Sequence, residues 1–186
     1  MRNPQRVSGL DASFVSLETA SQHLQIFSIL ELDPSTVPGG YSFEAFRDAL
    51  AVRLRAIPEL REKIVDTAIN LDFPVWTEDA EFDIARHVHR IGLPAPGDRA
   101  ELERLCGYLA GLRLDHSLPL WQMWVIEGLA GGGVAVMLVL HHAMADGVTF
   151  ADLLGRLCSA EPDPGRPSPV TAAPAVGTLR MALDGL

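Results

Sequence analysis

The sequence contains no long hydrophobic run. Its longest uninterrupted apolar segment covers residues 134–140, far short of the roughly 20 residues that a membrane-spanning helix needs. The first residues also lack the order of a secretory signal peptide, because Asp11 and Glu18 interrupt them. We therefore expect a cytoplasmic protein, or one that visits a membrane surface from the cytoplasmic side.

Cysteine is nearly absent. Cys106 and Cys158 are the only two, they lie far apart, and each falls in a predicted helix. This excludes a disulfide-stapled small fold and indicates two reduced thiols. Neither cysteine has the surroundings of a catalytic nucleophile, and Cys106 shares an apolar stripe with leucines, as a small core residue would.

Acidic residues outnumber basic residues in this chain. The chain has 15 Lys and Arg against 24 Asp and Glu, which gives a formal net charge of −9. That charge argues against nucleic acid as a partner. With 186 residues, 48% of them hydrophobic, the chain is long enough for one domain with a full core.

Periodicity and capping signals predict strands interspersed with helices. Ser42 precedes a helix that ends before Pro58, and Asp98 with Glu101 resembles a capping box at the start of another. A last helix covers about 148–158. Predicted strands cover residues 25–32, 61–66, 73–76, 87–90, 123–129 and 134–140, the last two forming a hairpin across a glycine-rich turn. Up to about residue 22 no periodicity is visible, and we expect His87 and His89 at solvated positions.

The residues that carry chemistry follow the buried strand 134–140. They form the motif His141-His142-Ala143-Met144-Ala145-Asp146-Gly147. Since neighbouring side chains of a strand point to opposite faces, one histidine should face a cleft and the other should pack behind it. A histidine in a cleft suits proton transfer near neutral pH.

Asp146 and Gly147 complete the motif, and both allow more than one role. Asp146 could orient a histidine, pair with an arginine or cap the next helix, and we expect a structural role. Gly147 allows unusual backbone angles or the close approach of a substrate. A purely structural histidine pair and a His-His-Asp metal site remain alternatives. The metal site is disfavoured because the histidines point apart and no cysteine or carboxylate cluster lies nearby in the sequence.

The chain changes character after about residue 160. Five prolines with glycine, serine and small residues follow within residues 161–174, which is typical of a linker. Residues 178–186 could begin another helix. We therefore divide the chain into a domain at 1–160 and, at 161–186, a linker with the start of a further helix that leads toward a missing second half.

The motif resembles the HHxxxDG signature of the acyl-CoA-dependent acyltransferase superfamily. Flanking blocks resemble the bacterial wax ester synthase/diacylglycerol acyltransferase family within it, in the order in which they occur there. These blocks are Leu10-Asp11-Ala12-Ser13-Phe14 with Leu17-Glu18, His23, Pro58-Glu59-Leu60-Arg61, Phe82-Asp83-Ile84, His87-Val88, Leu93-Pro94, and Leu114-Asp115-His116-Ser117-Leu118-Pro119-Leu120-Trp121 with Glu127-Gly128-Leu129. The resemblance runs from about Val7 to about Leu157.

The resemblance implies a fold, a reaction and a site. The fold would be an α/β sandwich like that of chloramphenicol acetyltransferase, a mixed sheet flanked by helices. The reaction would be acyl transfer from acyl-CoA to diacylglycerol or a fatty alcohol, with acyl-CoA as substrate, no cofactor and no metal. His142 would be the general base, His141 and Asp146 would complete the catalytic motif, and Gly147 would border the substrate. We expect Pro119-Leu120-Trp121 to be packing and turn structure.

The resemblance also implies a partner, because the family is about twice this long and pairs two similar halves. We expect this chain to need a C-terminal half, supplied as a separate or cleaved chain, and to work at a membrane or lipid-droplet surface. Two other functions stay open. One is a condensation-type or polyketide-associated acyltransferase, and the other is a non-catalytic half that binds lipid or a partner.

Overall fold

Two sheets and four helices make up the described part of the chain. The computed structural model describes residues 5–19, 21–66 and 74–158, so the predicted linker at 161–186 lies outside the described residues. The strands are β1 (Gln5–Arg6), β2 (Gln25–Leu32), β3 (Glu62–Val65), β4 (Val75–Glu78), β5 (Val88–Gly92), β6 (Trp121–Glu127) and β7 (Val134–His141). The helices are α1 (Gly9–Leu17), α2 (Phe43–Leu54), α3 (Arg99–Ala110) and α4 (Gly147–Leu157).

The larger sheet is mixed and has the order β2-β7-β6-β5. Strand β7 is antiparallel to both of its neighbours, and β5 is parallel to β6. The predicted hairpin of β6 and β7 is confirmed, and its turn uses positive φ angles at Gly131 and Gly132. β1, β4 and β3 form a smaller antiparallel sheet.

Every residue of β7 is buried, because helices cover both faces of this strand. The predicted mixed sheet flanked by helices is therefore confirmed. A strand that is buried on both faces also explains the continuous apolar run in the sequence. On one face lie Val134, Val136, Leu138 and Leu140 with apolar residues of α2 and α4. On the other lie Ala135, Met137 and Val139 with Leu102, Cys106 and Leu109 of α3.

Polar caps begin the helices where the sequence predicts them. The side chain of Ser42 accepts the N–H of Ala45 at 3.1 Å, and that of Asp98 accepts the N–H of Glu101 at 2.9 Å. These contacts satisfy N–H groups that have no partner within the first helical turn. Both cysteines are free, and Cys158 lies just beyond α4 rather than inside it.

Helix α1 was not predicted. Ser8 caps it through the N–H of Asp11, but none of its residues is fully buried. Without a buried stripe there is no apolar periodicity to detect. The helix is nevertheless central to the site, as described below.

The prediction that His87 is solvated was wrong. Its side chain is buried, its ring stacks on Trp121 with 4.6 Å between centroids, and its Nδ1 lies 2.9 Å from the Trp121 carbonyl oxygen. Trp121 is itself 1% exposed and donates its indole N–H to the carbonyl of Leu60 at 2.7 Å. The Pro119-Leu120-Trp121 block is therefore packing structure, as expected.

Among the residues that the structure describes, no helix is both long enough and apolar enough to cross a bilayer.

Candidate active site

The histidine motif lies where β7 ends and α4 begins. His141 is the last residue of β7, and Gly147 is the first of α4. Backbone hydrogen bonds hold the turn between them from both sides: His141 donates to Leu120 at 2.9 Å, and His142 donates to Leu24 at 2.7 Å. A rigid strand end thus fixes the backbone of both histidines.

His142 is half-buried, and its ring rests against Phe14 of α1, with 4.6 Å between centroids. Its Nδ1 is buried and has no hydrogen-bond partner among the described residues. The ring as a whole is only partly buried, so part of it stays exposed. A partly exposed imidazole on a fixed backbone is the geometry that a general base needs.

His141 is fully buried, in contrast to its neighbour. Its Nδ1 accepts the N–H of Ala143 at 3.1 Å. Burial lowers the pKa of His141 to about 4, against the opposing influence of Glu18. The ring is therefore neutral at neutral pH. The expectation that one histidine is accessible and the other is packed behind it fits this difference in burial.

Glu18 gathers the basic groups behind His141. Its side chain has no exposed surface, and its carboxylate oxygens lie 3.3 Å from His23 Nδ1, 2.6 Å from His116 Nε2 and 3.4 Å from Arg113. Burial raises the pKa of Glu18, but the hydrogen bond with His23, the electrostatic influence of His116 and the hydrogen bond from Arg113 outweigh burial and lower that pKa overall. The cluster holds a buried carboxylate in its charged form, which requires such partners.

The expectation that no carboxylate lies near the histidines was wrong. A carboxylate does lie nearby, because ligand-type atoms of Glu18, His116 and His141 are all within 4.8 Å of one another. The donor set nevertheless does not suit a cation. Nδ1 of His141 accepts a backbone N–H, so the neutral ring carries its proton on Nε2 and cannot bind metal there. The Arg113 guanidinium contacts the same Glu18 oxygen that a metal would need.

Asp146 is the N-cap of α4, one of the roles considered for it. Its carboxylate accepts the N–H of Thr149 at 2.8 Å, and among the described residues no arginine contacts it. These hydrogen bonds to backbone N–H groups keep the pKa of Asp146 below its usual value. Asp146 therefore holds α4 in place and does not form a hydrogen-bonded dyad with His142.

Gly147 has no positive φ, so the first of the two possibilities considered for it, unusual backbone angles, is not what requires glycine there. It is exposed at the start of α4, and a Cβ placed on it would meet no atom within 4 Å. A side chain at this position would therefore point into open space.

An apolar cavity lies on the same face of the sheet as α2 and α4. It has a volume of about 230 Å³ and opens to solvent. Its walls come from β2, β6, β7 and the two helices, and they are apolar except near Arg53 and Cys158. Leu138, one of its wall residues, precedes His142 by four positions, roughly 13 Å at strand rise.

The family model of the wax ester synthase/diacylglycerol acyltransferase catalytic domain matches residues 7–185. The chain belongs to this family. The resemblance inferred from the sequence blocks is thereby confirmed.

Relatives of this wax ester synthase/diacylglycerol acyltransferase domain are longer proteins. A Mycobacterium tuberculosis protein with the provisional name diacylglycerol O-acyltransferase is 51% identical over 183 residues, which are 98% of this chain and 36% of that protein. Another protein of this organism with the same kind of name is 40% identical over 169 residues, 91% of this chain and 35% of that protein. The chain thus spans about a third of the length of the curated relatives it matches, so the expectation that the family is about twice this long was too low.

Solved structures show the same fold. The wax ester synthase/diacylglycerol acyltransferase from Marinobacter aquaeolei matches with a TM-score of 0.71 at 25% identity, over 88% of this chain and 41% of that one. The first condensation domain of the calcium-dependent antibiotic synthetase matches with a TM-score of 0.64 at 16% identity, over 84% and 36%. The fold is therefore the expected chloramphenicol-acetyltransferase-like one.

Glu18, Arg113 and Phe14 were not predicted as site residues. Phe14 and Glu18 were noted only as part of the N-terminal block. Ninety-five positions separate Glu18 from Arg113, and no local pattern joins them. One available signal was a carboxylate and a neighbouring histidine, Glu18 and His23, just ahead of the strand that pairs with β7.

Proposed function

We propose that this chain is the histidine-bearing part of an acyl-CoA-dependent O-acyltransferase that makes triacylglycerol or wax ester. The observation that carries the proposal is the half-buried ring of His142 on a fixed strand end, in a chain of this family. The acceptors are diacylglycerol or a fatty alcohol, and acyl-CoA is the donor. Because these acceptors partition into lipid, we place the enzyme at a membrane or lipid-droplet surface.

The chemistry follows from one base and two bound substrates. Nε2 of His142 takes the proton of the acceptor hydroxyl while the hydroxyl oxygen attacks the thioester carbonyl carbon. The tetrahedral intermediate then breaks its C–S bond, which leaves an ester and the thiolate of CoA. The thiolate receives the proton from the imidazolium, so His142 returns to its neutral state. Holding both substrates beside the base removes much of the entropic barrier.

About two thirds of each relative lies outside the part that this chain matches, and we assign that part a role in the reaction. A second half, joined to this chain or bound to it, would close the site from the other side. It would also supply hydrogen-bond donors for the oxyanion of the intermediate. The half-buried ring of His142 would then lie at the interface between this chain and the second half.

The test of the base compares the two histidines in an active form of the enzyme. We expect His142→Ala to lower kcat by at least about a hundredfold, the usual scale for a lost general base. His141→Ala should lose less activity and should unfold at a lower temperature, because it leaves a buried hole and an unpaired N–H at Ala143. Equal kinetic losses at unchanged melting temperatures would rule out this division of roles.

We also place the acyl chain of the donor in the apolar cavity. Ala49 of α2 lines this cavity, so Ala49→Trp would shorten the space for the chain. The ratio of kcat/KM for palmitoyl-CoA over octanoyl-CoA should fall about tenfold or more, since each lost apolar contact costs binding. Ala45→Trp, one turn earlier on α2 and outside the cavity lining, is the matched control. Equal effects on both donors would argue against this placement.

A further inference from the structure

The ring of His141 closes over the backbone of His142. Its Nδ1 accepts the N–H of Ala143, so the side chain spans the residue between them. Nδ1 accepts only when it is unprotonated, and a neutral imidazole then carries its proton on Nε2. This contact therefore requires one tautomer of His141, the one protonated at Nε2.

The Nε2–H of His141 faces Glu18. Nε2 is buried and has no hydrogen-bond partner among the described residues, and the nearest carboxylate oxygen of Glu18 lies 3.9 Å away. That distance is too long for a hydrogen bond. In buried surroundings, however, a full negative charge still favours an N–H dipole that points toward it. The other tautomer would turn a lone pair toward the carboxylate and leave the Ala143 N–H without its acceptor.

Glu18 is itself fixed by groups from two other segments. Arg113, from the connection after α3, and His23, just ahead of β2, both contact its carboxylate. One turn before Glu18, Phe14 rests against the ring of His142. The end of α1 thus contacts both histidines, with a charge behind one and an aromatic ring against the other.

We propose that Glu18 is a positioning residue for acyl transfer: its buried carboxylate holds His141 in the Nε2–H tautomer and so fixes the turn that carries His142. This rests on the proposed function for its catalytic consequence. The chemistry of the acyl-transfer step does not change, because Glu18 touches no reacting atom. Loss of the Glu18 carboxylate should therefore displace the base His142, which lowers kcat, and should leave substrate binding nearly intact.

The experiment reads the tautomer and the kinetics in the same protein. In the wild type at pH 7, long-range ¹H–¹⁵N NMR of the histidine rings should show His141 protonated at Nε2 and unprotonated at Nδ1. In Glu18→Gln the Nδ1–H form should become populated, the Ala143 amide should exchange faster, and kcat should fall about tenfold to a hundredfold with KM within about twofold. Glu18→Asp keeps the charge and should restore most of kcat and the original tautomer.

Asp79→Asn is the matched control, because Asp79 is also a buried carboxylate with a basic partner, Lys63 at 3.0 Å. It should lose stability but keep the His141 tautomer and kcat. The proposal is overturned if Glu18→Gln keeps its kcat, or if Asp79→Asn loses kcat equally. It is also overturned if wild-type His141 carries its proton on Nδ1, a result that needs no folded variant. A protein that transfers no acyl group would refute the proposed function, while the tautomer still decides whether Glu18 controls His141.

Discussion

Two adjacent histidines differ here because their surroundings differ. His141, the last residue of β7, is buried beside the Glu18 cluster, and burial keeps its ring neutral. His142 follows the last strand residue, and its ring is only half-buried. A neutral, hydrogen-bonded imidazole is a structural group, whereas an accessible one can exchange protons with a substrate. A difference of one residue in position relative to the strand end therefore places the two rings in different environments.

Gly147 offers a test of substrate approach at the residue scale. A methyl group at Gly147 meets no protein atom, so Gly147→Ala should leave the melting temperature unchanged or slightly higher. If the open space receives substrate, kcat/KM for the acceptor should fall about tenfold. The measurement is steady-state kinetics with acceptor titration, paired with thermal unfolding.

Gly155, in the middle of α4, is the control for Gly147. Its Cβ would also meet nothing within 4 Å, and Gly155→Ala should raise stability by roughly 0.5–1 kcal/mol through helix propensity. Kinetics should not change. Normal kinetics in Gly147→Ala as well would show that substrate does not pass close to this residue.

Which residues form the site could be predicted only where the chemistry is local in sequence. His141, His142 and Asp146 stand within one strand-turn-helix unit, and the sequence identifies them. The burial of His87 and the Glu18 cluster depend on contacts across long stretches of chain, such as Glu18 with Arg113. Single-sequence patterns carry periodicity and capping but no information on such pairings.

At the scale of elements, α4 depends on its cap. Asp146→Ala should lower the free energy of unfolding and the melting temperature, because the Thr149 N–H loses its acceptor. Asp146→Asn keeps an acceptor and loses only the charge at the helix N-terminus, so it should destabilise the protein less than Asp146→Ala does. Chemical denaturation of the three proteins gives these differences.

The same variants decide whether Asp146 takes part in proton transfer. Asp98→Ala removes the equivalent cap of α3 and should cost similar stability with normal kinetics. Asp146→Asn should keep the pH–rate profile of the wild type. A shifted profile in a variant that melts normally would instead assign Asp146 a direct acid/base role.

Most elements were predictable because one physical signal marks each of them. β2 was predicted at its observed bounds, and α2 and α3 begin at their predicted caps. Helix α1 was not predicted because it is short and has no fully buried residue. It is held by contacts at its end, from Phe14 and Glu18, rather than by an apolar stripe. Because α1 contacts site residues rather than the core, its sequence shows little apolar periodicity.

At the scale of the whole molecule, one face of the large sheet is incompletely covered. Helix α3 packs against β6 and β7, but on edge strand β2 the side chains of Phe27 and Ile29 are 50% and 39% exposed. Both residues pair with buried residues of β7, Val139 and Met137. Adjacent exposed apolar side chains on an edge strand favour association.

We therefore expect the chain by itself to self-associate through β2 and to transfer acyl groups negligibly. Phe27→Thr combined with Ile29→Thr should weaken self-association at least about tenfold, given the apolar area that it removes. Val52→Thr, at a 47% exposed valine on α2, should leave association unchanged. Light scattering after size exclusion, with an acyl-CoA assay on each fraction, measures both properties.

Adding the segment that matches the rest of the relatives' length should convert the wild-type chain to a defined complex with activity. A monodisperse and fully active monomer would instead place both substrates within this chain, and the second half would have no part in the reaction.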